Sequence, residues 1–122
     1  MSTTAKNTSF VTLSAHEVRR LAARSMANIA DARCKCVNKV REEIEAQSHM
    51  SLFGLFKMKR PISRSAAMNN NLKIMVAEQY RSNDYTTCVL LRNAAQFLLD
   101  DATLSEKQRI VHVSINDLRA LT

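Results

Sequence analysis

The stretch that divides this chain is Ser51-Leu-Phe-Gly-Leu-Phe-Lys-Met-Lys-Arg-Pro-Ile-Ser-Arg64, which holds the only glycine and the only proline among 122 residues. Glycine and proline both disfavour helix interiors, glycine because it is too flexible and proline because it lacks an N–H. This basic connector, residues 51–64, therefore predicts a boundary between two helical blocks. An all-β fold needs far more turn residues than the chain contains, so we expect a mainly α protein.

The block before the connector has the pattern of one long helix. Ser14 and Glu17 form a capping box that marks its start, and no glycine or proline follows until Gly54. Apolar residues then recur at steps of three and four: Val18, Ala22, Met26, Ile29, Ala32, Cys36, Val40 and Ile44. The spacing predicts a helix from about residue 15 to about residue 47, roughly 50 Å long, which needs a second element along its length.

The block after the connector predicts a helical hairpin on which the long helix packs. We expect the second helix to be capped by Ser65 or by one of the asparagines at 69–71, with Leu72, Met75, Val76 and Tyr80 as its apolar positions. After a break at residues 81–84, Asp84 is placed to cap a third helix that ends near Asp100 and Asp101. Its inward positions are Cys88, Leu91, Ala95, Leu98 and Leu99.

The two ends of the chain share a pattern that leaves two structures open. Residues 11–21 and 111–121 both match V-x-[LV]-S-x-x-[ED]-[VL]-R-x-L, an extended segment followed by a capping serine and a helix. One alternative is a short two-strand ribbon formed by the terminal segments. The other is a single last helix started by a capping box at Ser105 and Gln108. For domain organisation we expect a flexible tail and extended lead-in at 1–13 and one helical domain at 14–122.

The formal net charge of +7 is unevenly distributed. Residues 1–50 have a balance of +3, residues 51–70 a balance of +4, and residues 71–122 a balance of zero. An anionic partner would therefore meet the long helix and the basic connector. The candidate contact residues are Arg20, Arg24, Lys35, Lys39, Phe53, Phe56, Lys57, Lys59, Arg60 and Arg64.

Catalytic and metal-binding motifs do not emerge from the sequence. A single glycine excludes the glycine-rich phosphate loops and the nucleophile elbow. Cys34 and Cys36 point about 200° apart on a helix and cannot grip one ion together. A Cys88–His112 nucleophile pair is formally possible, but no spacing selects it. We therefore expect no enzyme activity, no cofactor and no metal.

The composition favours a small accessory or regulatory protein that binds an anionic macromolecule, with nucleic acid slightly ahead of an acidic protein surface. The alternative is a protein–protein interaction module, an inhibitor or adaptor of viral or plasmid type, that docks through Phe53, Phe56 and the long helix. The length of that helix also predicts a homo-oligomer. The longest apolar runs are four residues, so no segment spans a membrane, and the free cysteines suit the cytoplasm.

Overall fold

The computed structural model describes residues 9–48 and 63–122. These residues form the strands β1 (Phe10–Ser14) and β2 (Ile110–Ser114) and the helices α1 (Ala15–Ser48), α2 (Arg64–Glu78), α3 (Ser82–Asp100) and α4 (Ile115–Ala120). The expected mainly helical fold, with its long N-terminal helix and a helical pair after the connector, is confirmed. The chain divides into two compact units, one containing the residues up to Ile29 and from Arg81 onward, the other running from Ala30 to Tyr80.

The start of α1 lies where the capping box predicts it. The Ser14 hydroxyl accepts the Glu17 N–H at 3.1 Å, which satisfies one of the free donors of the first turn. The Glu17 side chain does not complete the box and instead forms an ion pair with Arg20. The helix then continues to Ser48, as the uninterrupted apolar spacing predicts.

The ribbon alternative for the chain ends is confirmed. β1 and β2 pair antiparallel, with Val11 opposite Val113 and Thr12 opposite His112. The predicted last helix at Ser105 is reduced to a 3-10 turn, Glu106–Gln108, and its capping box is present around that turn. The β-branched residues of the next segment explain this outcome, because they pack better in a pleated strand than in a helix.

The shared terminal pattern is also a symmetry of the structure. The repeat relates residue 12 to residue 112, and the ribbon pairs the same two residues, so a local two-fold axis passes between Thr12 and His112. The axis exchanges two hydrogen bonds: the Ala15 N–H donates to the Arg109 carbonyl at 2.9 Å, and the Ile115 N–H donates to the Ser9 carbonyl at 3.0 Å. The second capping serine repeats the first, because the Ser114 hydroxyl accepts the Asp117 N–H at 3.1 Å.

The core of the first unit lies beneath the ribbon. Its buried residues come from the inner face of the ribbon, the early turns of α1, and the helices α3 and α4 with the residue that follows α4. They are Ala15, Val18, Ala22, Cys88, Ala95, Val113, Ala120 and Leu121. Leu91, Leu98 and Leu99 pack against this cluster, so all five inward positions predicted for α3 are correct.

Two buried polar groups fasten α4 to that core. The Ser25 hydroxyl and the Cys88 thiol both donate to the carbonyl of Ala120. The Cys88 Sγ lies 3.1 Å from that carbonyl oxygen. A carbonyl at a helix end has no partner within the helix, so these donors remove what would be a buried unpaired acceptor.

The second unit contains the later turns of α1 together with α2. The Arg33 guanidinium donates to the Tyr80 carbonyl just beyond α2, with Nη2 at 3.2 Å. α2 turns Ala66, Asn70, Ile74 and Ala77 inward to different extents, and Asn70 is buried.

Two helix starts differ from the prediction. Ser63, not Ser65 or the asparagines at 69–71, caps α2, and its hydroxyl accepts the Ala66 N–H at 3.2 Å. α3 begins at Ser82, after Arg81 in the left-handed region at φ 48, so Asp84 lies inside the first turn and does not cap. Asp84 instead accepts from the Arg81 Nε at 2.7 Å.

Candidate interaction surface

The predicted cationic residues of the long helix are exposed but partly neutralised. Arg20 pairs with Glu17, and the Lys35 Nζ lies 3.1 Å from a carboxylate oxygen of Asp31. Arg24 and Lys39 are exposed on the same helix, Arg24 in the first unit and Lys39 in the second. Exposed ion pairs of this kind contribute little to stability, but they lower the positive potential that an anionic partner would meet.

The remaining predicted contact residues belong to the basic connector. Arg64 is the first residue of α2 and is exposed. The other five lie outside the described residues: Phe53, Phe56, Lys57, Lys59 and Arg60. The described ranges hold fourteen Lys and Arg against eleven Asp and Glu, so most of the excess positive charge of the chain also lies outside them.

The most prominent surface feature of α2 is apolar. Met68, Leu72, Met75 and Val76 lie within about 100° of one another around the helix and are between 55% and 72% exposed. We call these four residues the α2 stripe. The inward residues of the same helix, centred near Ala66 and Ala77, lie on the opposite side, so α2 has one covered face and one uncovered apolar face.

The apolar positions that the sequence predicts for the second helix do not lie on its covered face: Leu72, Met75, Val76 and Tyr80. All four are exposed, Tyr80 at 38%. The sequence holds the signal for a second face, because four residues follow one another at steps of four, four and three: Ala66, Asn70, Ile74 and Ala77. The sequence prediction gave more weight to the large apolar side chains of this helix than to the small ones. In the second unit, the covered face of α2 instead carries mainly small side chains.

A groove extends the α2 stripe toward α1. Leu72 and Val76 line it on the α2 side, Val40 lines it on the α1 side, and Glu43 and Lys73 carry charges at its edge. The groove has a volume of about 440 Å³ and is wide open to solvent. An apolar side chain of a partner would find apolar walls there with one charge of each sign beside them.

The outer face of the ribbon is a second surface. Phe10, Thr12, Ile110 and His112 are exposed on it, and the Thr12 hydroxyl lies 3.1 Å from the His112 Nδ1. The face contains no lysine or arginine. It therefore presents polar and apolar groups arranged about the local two-fold axis, without a strong charge of its own.

The titratable groups of the described residues form no metal-binding cluster. Within residues 9–48 and 63–122, no three His, Cys, Asp or Glu side chains lie close enough to hold a metal ion. Asp101 has a perturbed carboxyl: the hydroxyl and the amide of Thr103 donate to it and lower its pKa below the ordinary value, with a smaller contribution from Arg109. Arg109 donates to the Asp101 carbonyl and to Glu106, so this cluster closes a turn.

Comparison of the chain with protein-family models, with curated proteins and with solved structures finds no match. None of the described helices is long and apolar enough to cross a membrane.

Proposed function

We propose that this protein is a non-enzymatic accessory or regulatory protein that acts by binding another protein chain through the α2 stripe. The observation that carries the proposal is that four large apolar side chains, more than half exposed, share one helix face. The largest contiguous apolar patch on a monomer covers about 300 to 600 Å² and is often functional.

Magnitudes favour a protein partner over an anionic one for the described residues. The α2 stripe exposes roughly 400 Å² of apolar surface, and its burial would contribute on the order of 10 kcal/mol before the cost of association. An exposed ion pair contributes between about 0 and 1 kcal/mol. Arg20 and Lys35 already have acidic neighbours, so the apolar term is the larger one.

A pull-down with a matched pair of variants tests the proposal. Leu72→Glu places a charge in the centre of the α2 stripe, and Leu90→Glu makes the same change on α3, where Leu90 is 64% exposed. Immobilised protein is incubated with nuclease-treated lysate, and recovered chains are identified by mass spectrometry. We expect Leu72→Glu to lose chains that the wild type and Leu90→Glu retain. Identical recovery by all three, from a wild type that also does not self-associate, would reject the α2 stripe as the binding surface.

Nucleic acid binding is the second candidate function, and the ribbon favours it. A two-stranded antiparallel ribbon fits the major groove of B-DNA, and Thr12 and His112 would present hydrogen-bonding groups to base edges. The cations of the basic connector, Lys57, Lys59, Arg60 and Arg64, would supply phosphate contacts.

Salt dependence tests this second candidate. Four phosphate contacts predict a slope of about −3.6 in log K against log salt, so affinity for a duplex should fall more than a hundredfold between 50 and 200 mM salt. Replacing the four connector cations by glutamine should flatten that slope, while Thr12→Val should weaken binding without changing it. A curve that is flat in salt, or no binding at 50 mM, would reject nucleic acid as the partner.

A further inference from the structure

We infer that the partner of the α2 stripe is a second copy of this chain, with the two α2 helices antiparallel about a two-fold axis near Asn71 and Leu72. This inference rests on the proposed protein-binding function and specifies its partner. Three properties of α2 support it: the position of its apolar face, the placement of its charges, and the area that a symmetric pair would cover.

The apolar face of α2 is suited to pairing with itself. Met68 and Met75 lie on either side of the helix midpoint, and Leu72 lies next to it. In an antiparallel pair the midpoints coincide, so Leu72 contacts Leu72 of the partner subunit and Met68 contacts Met75 of the partner subunit. Each of these three apolar residues then meets an apolar residue, which is the self-complementarity that a two-fold interface requires.

The charges of α2 select the antiparallel direction. Arg64 and Glu78 are both exposed, lie on the same flank of the α2 stripe and are about 21 Å apart along the helix. A two-fold axis midway between them places Arg64 opposite Glu78 of the partner subunit, and the same pair recurs at the other end. A parallel pair would instead place each of these charges opposite its own copy, which is unfavourable.

The covered area suits a small homodimer. Four side chains that expose on the order of 100 Å² each would bury roughly 800 Å² of apolar surface in a symmetric pair. A dimer interface at the lower limit of the stable range buries about 1,200 Å² in total, of which roughly 65% is apolar in homodimers. The α2 stripe therefore supplies about the apolar area of such an interface, and the groove beside Leu72 and Val76 offers room for the flexible methionine side chains.

Sedimentation equilibrium of the purified 122-residue chain tests the inference. We expect the wild type to fit a monomer–dimer equilibrium and Leu72→Glu to weaken dimerisation by at least a hundredfold, since two glutamates would meet at the axis. The control Leu90→Glu should dimerise like the wild type, and circular dichroism should show that both variants keep their helices. A wild-type chain that is monomeric at 100 μM, or a dimer that Leu72→Glu leaves intact, would overturn the inference.

Charge reversal tests the direction of pairing separately from the position of the interface. Arg64→Glu and Glu78→Arg should each weaken the dimer about tenfold, because each places like charges opposite one another at both ends. The double variant restores opposite charges and should return the dissociation constant to within about threefold of the wild type. If the double variant is weaker than both single variants, the antiparallel pairing is wrong.

The outcome also separates this inference from the proposed function. A monomeric wild type whose pull-down partners are lost in Leu72→Glu would refute self-pairing and leave the α2 stripe as a surface for a different protein. A chain that neither dimerises nor loses any partner in Leu72→Glu would refute both. A dimer that is sensitive to Leu72→Glu and to charge reversal supports both.

Discussion

Val113 offers the sharpest test of the core beneath the ribbon. Its side chain is 0% exposed and belongs to the cluster that joins β2 to α1, α3 and α4. Val113→Ala removes two methyl groups, which costs about 1.6 kcal/mol in transfer free energy. The cavity that remains adds to this cost, so we expect a loss of about 2 to 3 kcal/mol in the free energy of unfolding.

Urea unfolding followed by circular dichroism measures this loss, with Val76→Ala as the matched control. Val76 is 72% exposed, so the same substitution there should change the free energy of unfolding by less than about 0.5 kcal/mol when the protein is dilute enough to be monomeric. The midpoint for Val113→Ala should fall while the slope stays constant. If Val113→Ala costs no more than Val76→Ala, the inner face of the ribbon does not pack as described.

Three further predictions concern caps and pH. Ser14→Ala and Ser114→Ala should each cost about 1 kcal/mol of unfolding free energy in urea titrations, because each removes the hydroxyl that accepts a first-turn N–H; a cost at one site only would contradict the local symmetry. Ser63→Ala should destabilise α2 by a similar amount, while Ser65→Ala should change its stability little, as measured by hydrogen exchange in the first turn of α2. A larger effect of Ser65→Ala would show that Ser65 is the cap, as the sequence predicts. Because the pKa of Asp101 is lowered, its contribution to stability is complete above the ordinary value of 3.8 and is lost as pH falls below that value. Asp101→Asn should therefore make the acid unfolding profile less steep in that range. An unchanged profile would exclude this carboxyl as a contributor.

The long helix was predictable from the sequence because several signals agree along α1. The capping serine Ser14, the three- and four-residue apolar spacing and the absence of glycine and proline all indicate one helix, and α1 begins and ends within one residue of the predicted bounds. The inward face of α3 was predictable from its spacing, since Cys88 and Ala95 lie on a single apolar face, but its start was not.

The ribbon was only one of two alternatives because strand pairing between residues 100 positions apart has no local signal. Local information at Ser105 favours a helix start, and the capping box there does form, but around a 3-10 turn. The β-branched segment after it pairs with β1, and that contact with a distant strand decides the outcome.

The exposure of the α2 stripe was the least predictable feature. The contact residues predicted on α1 and in the basic connector stay a prediction, and the described residues present the α2 stripe as a further uncovered surface. Periodicity identifies an apolar face but does not tell whether a core or a partner covers it. Leu72 and Val76 therefore have the pattern of core residues although they are exposed.

Methionine oxidation tests most directly whether a partner covers the α2 stripe. Met68 and Met75 are exposed, whereas Met26 packs against the core of the first unit, so dilute hydrogen peroxide should oxidise the first two much faster in dilute protein. Mass spectrometry of peptides gives each rate as a function of protein concentration. We expect the oxidation rates of Met68 and Met75 in the wild type to fall several-fold as the protein concentration rises through the dimer dissociation constant. The rate of Met26 in the wild type, and the rates of Met68 and Met75 in Leu72→Glu, should not change with concentration. Rates at Met68 and Met75 that stay the same from 1 to 100 μM would contradict this expectation.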